Sequence, residues 1–262
     1  MGTISVVMAA HSCLERLRST WSELGANDPL WAVATVDAKR RGKWATKDFF
    51  ETGERDVARY HDLLMRVAGC PPEFDHILDF GCGVGRLSLP WGRRATRVTG
   101  VDISPGMIAT GQQFGKSVSN VELRLNEEPD LLCFEDDRFD LVFSHICLQH
   151  IPWDLTAGYL REFARVCRRG GWVVFQLPSR SLRKLSWIAA FRKGIVDRLP
   201  FGLGRAYRNW KYGCPVLFEM YFVLSEEVVE SARQAGLTEV HREPDQSAGK
   251  SVESFIYIFR RP

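Results

Sequence analysis

The segment that most constrains the fold is a short glycine-rich stretch that directly follows an apolar run. Residues 77–85 read ILDFGCGVG, so Asp79 lies near the end of the apolar run and glycines follow at positions 81, 83 and 85. This order predicts a buried strand leading into a loop where a ligand approaches bare backbone, because glycine lacks a Cβ and adopts positive φ freely. A helix beginning after the loop would present free N–H groups and a partial positive charge to that ligand. The G-x-G-x-G spacing differs from the G-x-G-x-x-G of dinucleotide sites, and a plain turn is the alternative interpretation.

Strand and helix patterns alternate from residue 76 onward. The predicted strands are 76–80, 97–102, 121–125, 139–144, 172–177, 237–242 and 254–260. The predicted helices are 84–94, 105–115, 154–169 and 225–235. A kink is expected at Pro90, and Gly170 and Gly171 are expected to end the third of these helices. The alternation predicts an α/β fold, a Rossmann-like doubly wound and mostly parallel seven-stranded sheet that ends in a C-terminal antiparallel hairpin strand.

About 70 residues precede the first predicted strand, and their pattern is helical. Apolar residues at three- and four-residue spacing predict one helix over about 12–24 and another over about 47–68, which Gly69 ends. Residues 1–70 are therefore interpreted as an N-terminal helical extension, and residues 71–262 as the main domain. The extension either packs against a sheet edge or forms a lid over the ligand site.

Composition is typical of a soluble globular protein. The chain has 262 residues, of which 45% are hydrophobic and 26% charged, enough for one domain with elaborations. Seven cysteines form no C-x-x-C pair and no zinc-ligand spacing, so we expect reduced thiols, a cytoplasmic location and no metal site. No apolar run reaches the ~18 residues of a transmembrane helix.

Charge is concentrated in a basic amphipathic insertion at about 180–220. Residues 180–212 contain nine lysines and arginines but a single acidic residue, Asp197, a net charge of +8 in a chain of net charge +3. The segment is interpreted as a solvated lid packed on the sheet. The alternatives are a surface for anionic membranes or lipid-linked substrates, which would make the protein peripheral to the membrane, and a site for other acidic acceptors. Nucleic acid is not expected, because no recognition module is visible.

Asp102 ends the second predicted strand, seventeen residues after Gly85. In a doubly wound sheet it would lie beside the glycine loop, where a carboxylate can accept hydrogen bonds from both hydroxyls of a ribose. Capping of the next helix is assigned instead to Ser104, which precedes Pro105. Met107, one turn into that helix, either packs on a flat base or belongs to the core.

Further candidates follow the third and fourth predicted strands. Asn126 and Glu127 lie either at the edge of a bound base or in a surface turn. His145 and His150 follow the fourth strand and are expected at the mouth of the site.

Several segments together resemble the class I S-adenosylmethionine-dependent methyltransferases. They are DFGCGVG at 79–85, VDISPGM at 101–107, FDLV at 139–142, LQHI at 148–151, LREFARV at 160–166 and the glycine pair at 170–171. The resemblance implies S-adenosyl-L-methionine as cofactor, with its methionine part at the glycine loop, its ribose at Asp102 and its methyl group bordered by Ser144 and His145. The implied cofactor-binding set is Asp79, Gly81, Cys82, Gly83, Gly85, Asp102, Ile103, Met107, Asn126, Glu127, Ser144 and His145. One departure is that residues 125–130 lack the glycine–aspartate pair usual after the third strand.

The resemblance implies methyl transfer to a small-molecule acceptor, and we expect O-methylation of a saccharide or secondary-metabolite hydroxyl. His150 is the first choice as general base and His145 the second, since histidine suits proton transfer near neutral pH. Alternatively, His150 caps the following helix or hydrogen-bonds the backbone. N- or C-methylation, a non-catalytic cofactor-binding or membrane-associated module, and an NAD-dependent oxidoreductase are the competing functions. The glycine spacing and the terminal hairpin speak against the oxidoreductase.

Overall fold

The computed structural model describes residues 2–69, 73–182, 203 and 219–262, with side chains from residue 13 onward. The strands of the described sheet are β1 (Phe74–Phe80), β2 (Ala95–Asp102), β3 (Val121–Leu125), β4 (Phe139–Ser144), β5 (Cys167–Ser181), β6 (Thr238–Asp245) and β7 (Val252–Arg260). The α-helices of the described ranges are α1 (Gly2–Asn27), α2 (Pro29–Val33), α3 (Thr46–Ala68), α4 (Ser88–Trp91), α5 (Pro105–Phe114), α6 (Trp153–Val166) and α7 (Ser225–Gln234).

The seven strands form one sheet in the order β3-β2-β1-β4-β5-β7-β6. The first five strands pair in parallel, and β7 inserts antiparallel between β5 and β6. This arrangement confirms the predicted doubly wound, mostly parallel sheet with a closing antiparallel hairpin. All seven predicted strands are present, although β5 extends well beyond the predicted 172–177.

Helices cover both faces of the sheet, so its central strands are apolar on both sides. On one face α3 turns Val57, Tyr60 and Leu64 toward the sheet, at the three- and four-residue spacing of a single helix face. On the other face α6 and α7 form the larger core, in which Phe163 and Val228 are fully buried. The parallel strands therefore direct their carboxyl ends to one edge, where ligands bind in folds of this kind.

The N-terminal helices pack over that edge. Helix α1 contacts α5, and Leu24 joins Trp31, Phe49 and Met107 in a separate buried cluster. Helix α1 begins at Gly2, ten residues before the predicted start. The division into an extension of residues 1–70 and a main domain of 71–262 stays a prediction.

Two predicted helices differ from the structure. The helix expected over 84–94 is a single turn, α4, because the loop backbone keeps a positive φ at Gly85 and Pro90 has no N–H for a longer helix. The prediction that Gly170 and Gly171 end the helix over 154–169 is wrong, since α6 ends at Val166. The cause is Cys167, which adopts extended backbone and pairs with β4, so that the glycine pair lies inside β5.

Most of the basic segment 180–212 lies outside the described residues, and so does its predicted helical face. In the part of the chain that the structure does describe, no helix has the length and apolar content needed to cross a bilayer.

Candidate active site

A cleft opens at the carboxyl ends of β1, β2 and β4, beneath α1. The glycine loop, Asp102 and the two histidines line it, and α1 adds Leu14, Leu17 and Trp21. Trp21 also accepts a hydrogen bond through its backbone carbonyl from the hydroxyl of Ser104, at 3.0 Å, which fixes α1 to the start of α5.

The first half of the cleft, which we call the glycine cradle, consists of residues 81–85 and Asp102. Gly81 has a φ of +76°, and a Cβ added there would lie 2.1 Å from the Sγ of Cys147. At Gly83, with a φ of +55°, an added Cβ would lie 2.5 Å from a methyl of Val33. Both positions thus need glycine for its backbone conformation and for the close approach of neighbouring atoms.

Asp102 holds the cradle together. One oxygen of its carboxylate accepts the N–H of Gly83 at 2.9 Å, and the other accepts the N–H of Ser104 at 2.9 Å. A carboxylate has about four acceptor positions, so lone pairs remain for a ligand that carries two neighbouring hydroxyls. Burial raises the pKa of Asp102, while these backbone N–H groups lower it.

Two further side chains at the glycine cradle are buried and polar, Asp79 just before the loop and Cys82 within it. Asp79 accepts a hydrogen bond from the hydroxyl of Ser88 at 2.6 Å, and burial raises its pKa to about 6. Cys82 lines the cleft, and burial raises the pKa of its thiol. Together with Asp102 these groups form a narrow, polar recess around bare backbone, which fits the methionine and ribose parts of S-adenosylmethionine.

Beyond Asp102 the cleft continues toward the loop after β3. Ile103, Met107 and Asn126 line this end. Met107 is also part of the buried N-terminal cluster, so it serves both the core and the cleft wall. The amide of Asn126 donates to the carbonyl of Asp130 at 2.9 Å.

Three residues of the predicted set are not brought to the cleft wall. Glu127 forms an ion pair with Arg18 of α1 at 2.6 Å. Ser144 is buried and donates to the carbonyl of Phe80 at 2.9 Å. Gly85 packs against Leu123, behind the loop surface.

The second half of the cleft, which we call the histidine wall, consists of His145, Gln149 and His150 with Tyr60 and the backbone of Glu219. Nδ1 of His150 lies 2.6 Å from the carbonyl oxygen of Glu219, and Nε2 lies 3.1 Å from the amide nitrogen of Gln149. The carbonyl only accepts, so Nδ1 carries the proton and Nε2 keeps its lone pair. Burial lowers the pKa of His150 to about 4, so the imidazole is neutral near neutral pH.

A chain of hydrogen bonds fixes the orientation of Gln149. The backbone N–H of Ile146 donates to the side-chain oxygen of Gln176 at 3.3 Å, which directs the Gln176 amide nitrogen to Ser254 at 2.6 Å and to the Gln149 oxygen at 3.4 Å. The amide nitrogen of Gln149 is thereby left to face His150. The tautomer of His150 is therefore determined from both sides.

His145 is also neutral, but its surroundings differ from those of His150. The hydroxyl of Tyr60 lies 2.8 Å from its Nδ1, and Asp56 lies 3.9 Å from its Nε2. Burial, followed by the positive charge of Arg86, lowers the pKa of His145 to about 3. Burial also raises the pKa of Tyr60, so the hydroxyl keeps its proton and shares a hydrogen bond with Nδ1. Nδ1 of His145 is thus used within the protein and the positive charge of Arg86 lies nearby, which disfavours protonation and makes His145 the weaker candidate for a base.

Four residues of the site carry no motif in the sequence. Arg86, Met220 and Ser247 line the cleft, and Tyr60 lies behind it against His145. Tyr60 belongs to the inward face of α3 and Arg86 directly follows the glycine loop, so a helical-face pattern and adjacency were the signals available. Met220 and Ser247 reach the cleft from distant parts of the chain. In the ranges that the structure describes, no three histidine, cysteine, aspartate or glutamate side chains come together as a metal site.

Comparison with known proteins gives this chain relatives among methyltransferases. Residues 78–175 match a family model described as a methyltransferase domain. The chain is 31% identical over 173 residues to an uncharacterized protein of Mycobacterium tuberculosis, which covers 63% of this chain and 61% of the relative. It is also 31% identical over 163 residues to the malonyl-[acyl-carrier protein] O-methyltransferase of Serratia marcescens, covering 61% of this chain and 59% of that enzyme. The chain thus spans about three fifths of the length of these relatives.

The fold has relatives among solved structures. Magnesium protoporphyrin IX methyltransferase from Synechocystis, solved with bound SAH, superposes with a TM-score of 0.62 at 17% identity, over 95% of this chain and 99% of that one. The PH0226 protein of Pyrococcus horikoshii superposes with a TM-score of 0.56 at 21% identity, over 79% and 90% of the two chains. These similarities concern the fold, and the family match covers the strands that carry the glycine cradle. Over residues 78–175 the chain therefore matches a methyltransferase domain, in a fold that solved methyltransferases share.

Proposed function

We propose that this protein transfers a methyl group from S-adenosylmethionine to a hydroxyl oxygen of a small-molecule acceptor. The observation that carries the proposal is a single cleft with the glycine cradle on one side and the neutral, tautomer-fixed His150 on the other. When bound, S-adenosylmethionine supplies a methyl group on a sulfonium, which is already an activated electrophile. The protein mainly has to align the acceptor and remove its proton.

Within this proposal the cradle holds the cofactor. The backbone of Gly81 and Gly83 would contact its methionine part, and Asp102 would bind its ribose. Ile103, Met107 and Asn126 line the space where the adenine would lie. Good alignment of two reactants can supply ~7–11 kcal/mol of barrier reduction.

His150 is proposed as the general base. The acceptor hydroxyl would first replace the amide of Gln149 as the hydrogen-bond partner of Nε2. The Nε2 lone pair then accepts the proton of that hydroxyl. The carbonyl of Glu219 then stabilises the imidazolium through Nδ1–H. The lowered pKa ensures that the imidazole is unprotonated near neutral pH, although it also makes it a weaker base. A positioned base of this kind contributes roughly 10²–10⁴-fold in rate.

The acceptor side of the cleft is largely apolar. Leu14, Leu17, Ile146, Ile151 and Met220 line it. Apolar walls with a few polar groups are typical of sites for hydrophobic small molecules, so a secondary-metabolite acceptor fits better than a saccharide. The names of two relatives, the malonyl-[acyl-carrier protein] enzyme and a ubiquinone biosynthesis enzyme of Albidiferax ferrireducens, both specify O-methyltransferases and favour oxygen over nitrogen or carbon.

A lipid-linked acceptor at an anionic membrane surface is the second candidate. It is supported by the net charge of +8 in residues 180–212, a property of the sequence alone. Flotation with liposomes with and without anionic lipid tests this candidate. Binding that is independent of lipid charge would contradict it.

Two measurements test the proposed function. Calorimetry with S-adenosylhomocysteine and with NAD should show binding of the first only, whereas preferential binding of NAD would favour an oxidoreductase. Incubation with S-adenosylmethionine carrying a labelled methyl group and with pools of apolar hydroxyl compounds should then yield labelled ethers. Cofactor binding without transfer to any acceptor would indicate a binding module instead.

A further inference from the structure

Arg86 immediately follows the glycine loop and is buried at the cleft. Its side chain is 8% exposed, yet it lines the cleft together with His145 and Asp79. The backbone of Arg86 packs so tightly against α3 that a Cβ on Gly53 would lie 2.0 Å from its carbonyl oxygen. The backbone of Arg86 is therefore fixed against α3.

Only one nitrogen of this guanidinium is used by the described part of the protein. Nη1 donates to the hydroxyl of Thr52 at 3.2 Å and to the carboxylate of Asp56 at 2.6 Å. Nε is fully buried and has no hydrogen-bond partner in the described ranges. Nη2 likewise donates no hydrogen bond to any residue that the structure describes.

The unequal use of the guanidinium nitrogens affects stability. Guanidinium is always charged and carries five donors, and a buried donor without a partner is destabilising. Nε–H and Nη2–H form the edge that binds a carboxylate through two parallel hydrogen bonds. Asp56 and Thr52 occupy the opposite end, so they hold the guanidinium and leave that edge for another group.

The surrounding charges leave room for an anion. Asp56 compensates Arg86 in part and is itself 31% exposed. Asp79 is bonded to Ser88 and forms no ion pair with Arg86 in the described ranges, although the charge of Arg86 lowers its pKa against the larger effect of burial, and His145 is neutral. A carboxylate entering the cleft would therefore share Arg86 with Asp56 and with the more distant Asp79.

We propose that the Nε–Nη2 edge of Arg86 binds a carboxylate, and that the acceptor molecule carries it. This inference rests on the proposed function. Arg86 itself lies within the segment that matches the family model, whereas Thr52 and Asp56, which hold it in place, belong to α3 outside that segment. The amino-acid end of the cofactor is the other source of a carboxylate, and the experiment separates the two.

The experiment is calorimetric and needs no turnover. Wild type, Arg86→Gln and Arg86→Lys are titrated with S-adenosylhomocysteine and with 5′-methylthioadenosine, which lacks the amino-acid end. The proteins saturated with S-adenosylhomocysteine are then titrated with benzoate and with benzyl alcohol. Arg93→Gln is the matched control, because Arg93 also pairs with an acidic residue of α3, Glu54, but is exposed.

If the acceptor carries the carboxylate, wild type should bind benzoate more tightly than benzyl alcohol. Both Arg86 variants should then lose about tenfold or more in benzoate affinity with unchanged affinity for S-adenosylhomocysteine. If the cofactor carries the carboxylate, the Arg86 variants should instead lose the same factor in affinity for S-adenosylhomocysteine and none in affinity for 5′-methylthioadenosine. Arg86→Lys keeps the positive charge and loses the planar edge, so it remains informative if Arg86→Gln does not fold.

Equal affinities of wild type and both variants for all four compounds would overturn the inference, while the proposed function would stand. Failure of wild type to bind either nucleoside would instead contradict the proposed function. Arg93→Gln should bind every compound as wild type does.

Discussion

The two halves of the cleft are built from different materials. The glycine cradle is made mainly of backbone, from one continuous loop and the end of the neighbouring strand. Backbone hydrogen bonds to Val101 and the carboxylate of Asp102 hold it together. The histidine wall is made mainly of side chains from α3 and from the loop after β4, with the backbone of residue 219. Side chains of β5 and β7 orient it. A backbone site depends on the absence of side-chain atoms, whereas a side-chain site depends on which partners surround each group. The two halves should therefore fail in different ways when they are altered.

The largest effect is expected in the cradle. Gly81→Ala places a Cβ 2.1 Å from the Sγ of Cys147 at a φ of +76°, so the loop must shift. We expect the affinity for S-adenosylhomocysteine, measured by calorimetry, to fall by more than about 100-fold.

Gly69→Ala is the matched control, because Gly69 has a φ of +72° and no atom of the described residues lies within 4 Å of an added Cβ. This variant should lose roughly 1 kcal/mol of stability and bind the cofactor normally. Normal binding by Gly81→Ala would show that the cofactor does not lie on this loop.

In the histidine wall we expect loss of turnover without loss of cofactor. His150→Ala removes the proposed base, so kcat should fall about 100-fold or more, while the Kd for S-adenosylhomocysteine stays within roughly threefold. His76→Gln is the control, since His76 is also a buried histidine but lies outside the cleft, bonded to Thr99. Near-normal turnover of His150→Ala would remove this residue from the mechanism.

The pH dependence of stability separates the two halves further. Burial lowers the pKa of His150 from 6.5 to about 4, so between these values the unfolded chain binds more protons than the folded one. The contribution of His150 to stability is therefore complete above pH 6.5 and is lost as the pH falls toward 4. Asp79, whose pKa burial raises to about 6, acts in the opposite direction, because the folded protein then binds more protons than the unfolded one.

Urea unfolding of wild type and His150→Gln from pH 8 to 5 measures the contribution of His150 to the free energy of unfolding. Between pH 6.5 and 5 the wild type should lose roughly 1–2 kcal/mol more than the variant, because the Asp79 contribution is common to both. The two curves should run parallel between pH 7 and 8. Parallel curves over the whole range would mean that His150 titrates alike in the folded and unfolded states.

The smallest effect concerns the rim of the cradle. Glu127 pairs with Arg18 on the surface, and exposed ion pairs contribute about 0–1 kcal/mol. Glu127→Gln should therefore change the affinity for S-adenosylhomocysteine by less than about threefold, whereas Asp102→Asn should reduce it tenfold or more. A large effect of Glu127→Gln would assign the adenine edge to Glu127 rather than to Asn126.

The same contrast explains how much the sequence could predict. The sheet, its closing hairpin and the cradle were predictable because short motifs and local periodicity encode them. The partners of His150 were not, because Gln176 and Ser254 are separated by 78 residues along the chain and meet only through the pairing of β5 with β7. The prediction for Gly170 and Gly171 was wrong for a related reason, since pairing of Cys167 with Phe139 ends α6 before the local helix signal does. The role of Arg86 was hidden because it depends on which of its nitrogens the fold leaves without a partner.

The insertion of β7 between β5 and β6 also has a consequence for the order in which the two halves can form. All residues of the glycine cradle have been synthesised once the ribosome has passed residue 102, and the residues proposed for the adenine follow by residue 126. His150 obtains its full set of partners only after residue 254, when β7 has entered the sheet and Ser254 orients Gln176. A growing chain therefore contains every residue of the proposed cofactor site long before it contains the residues that orient the proposed base.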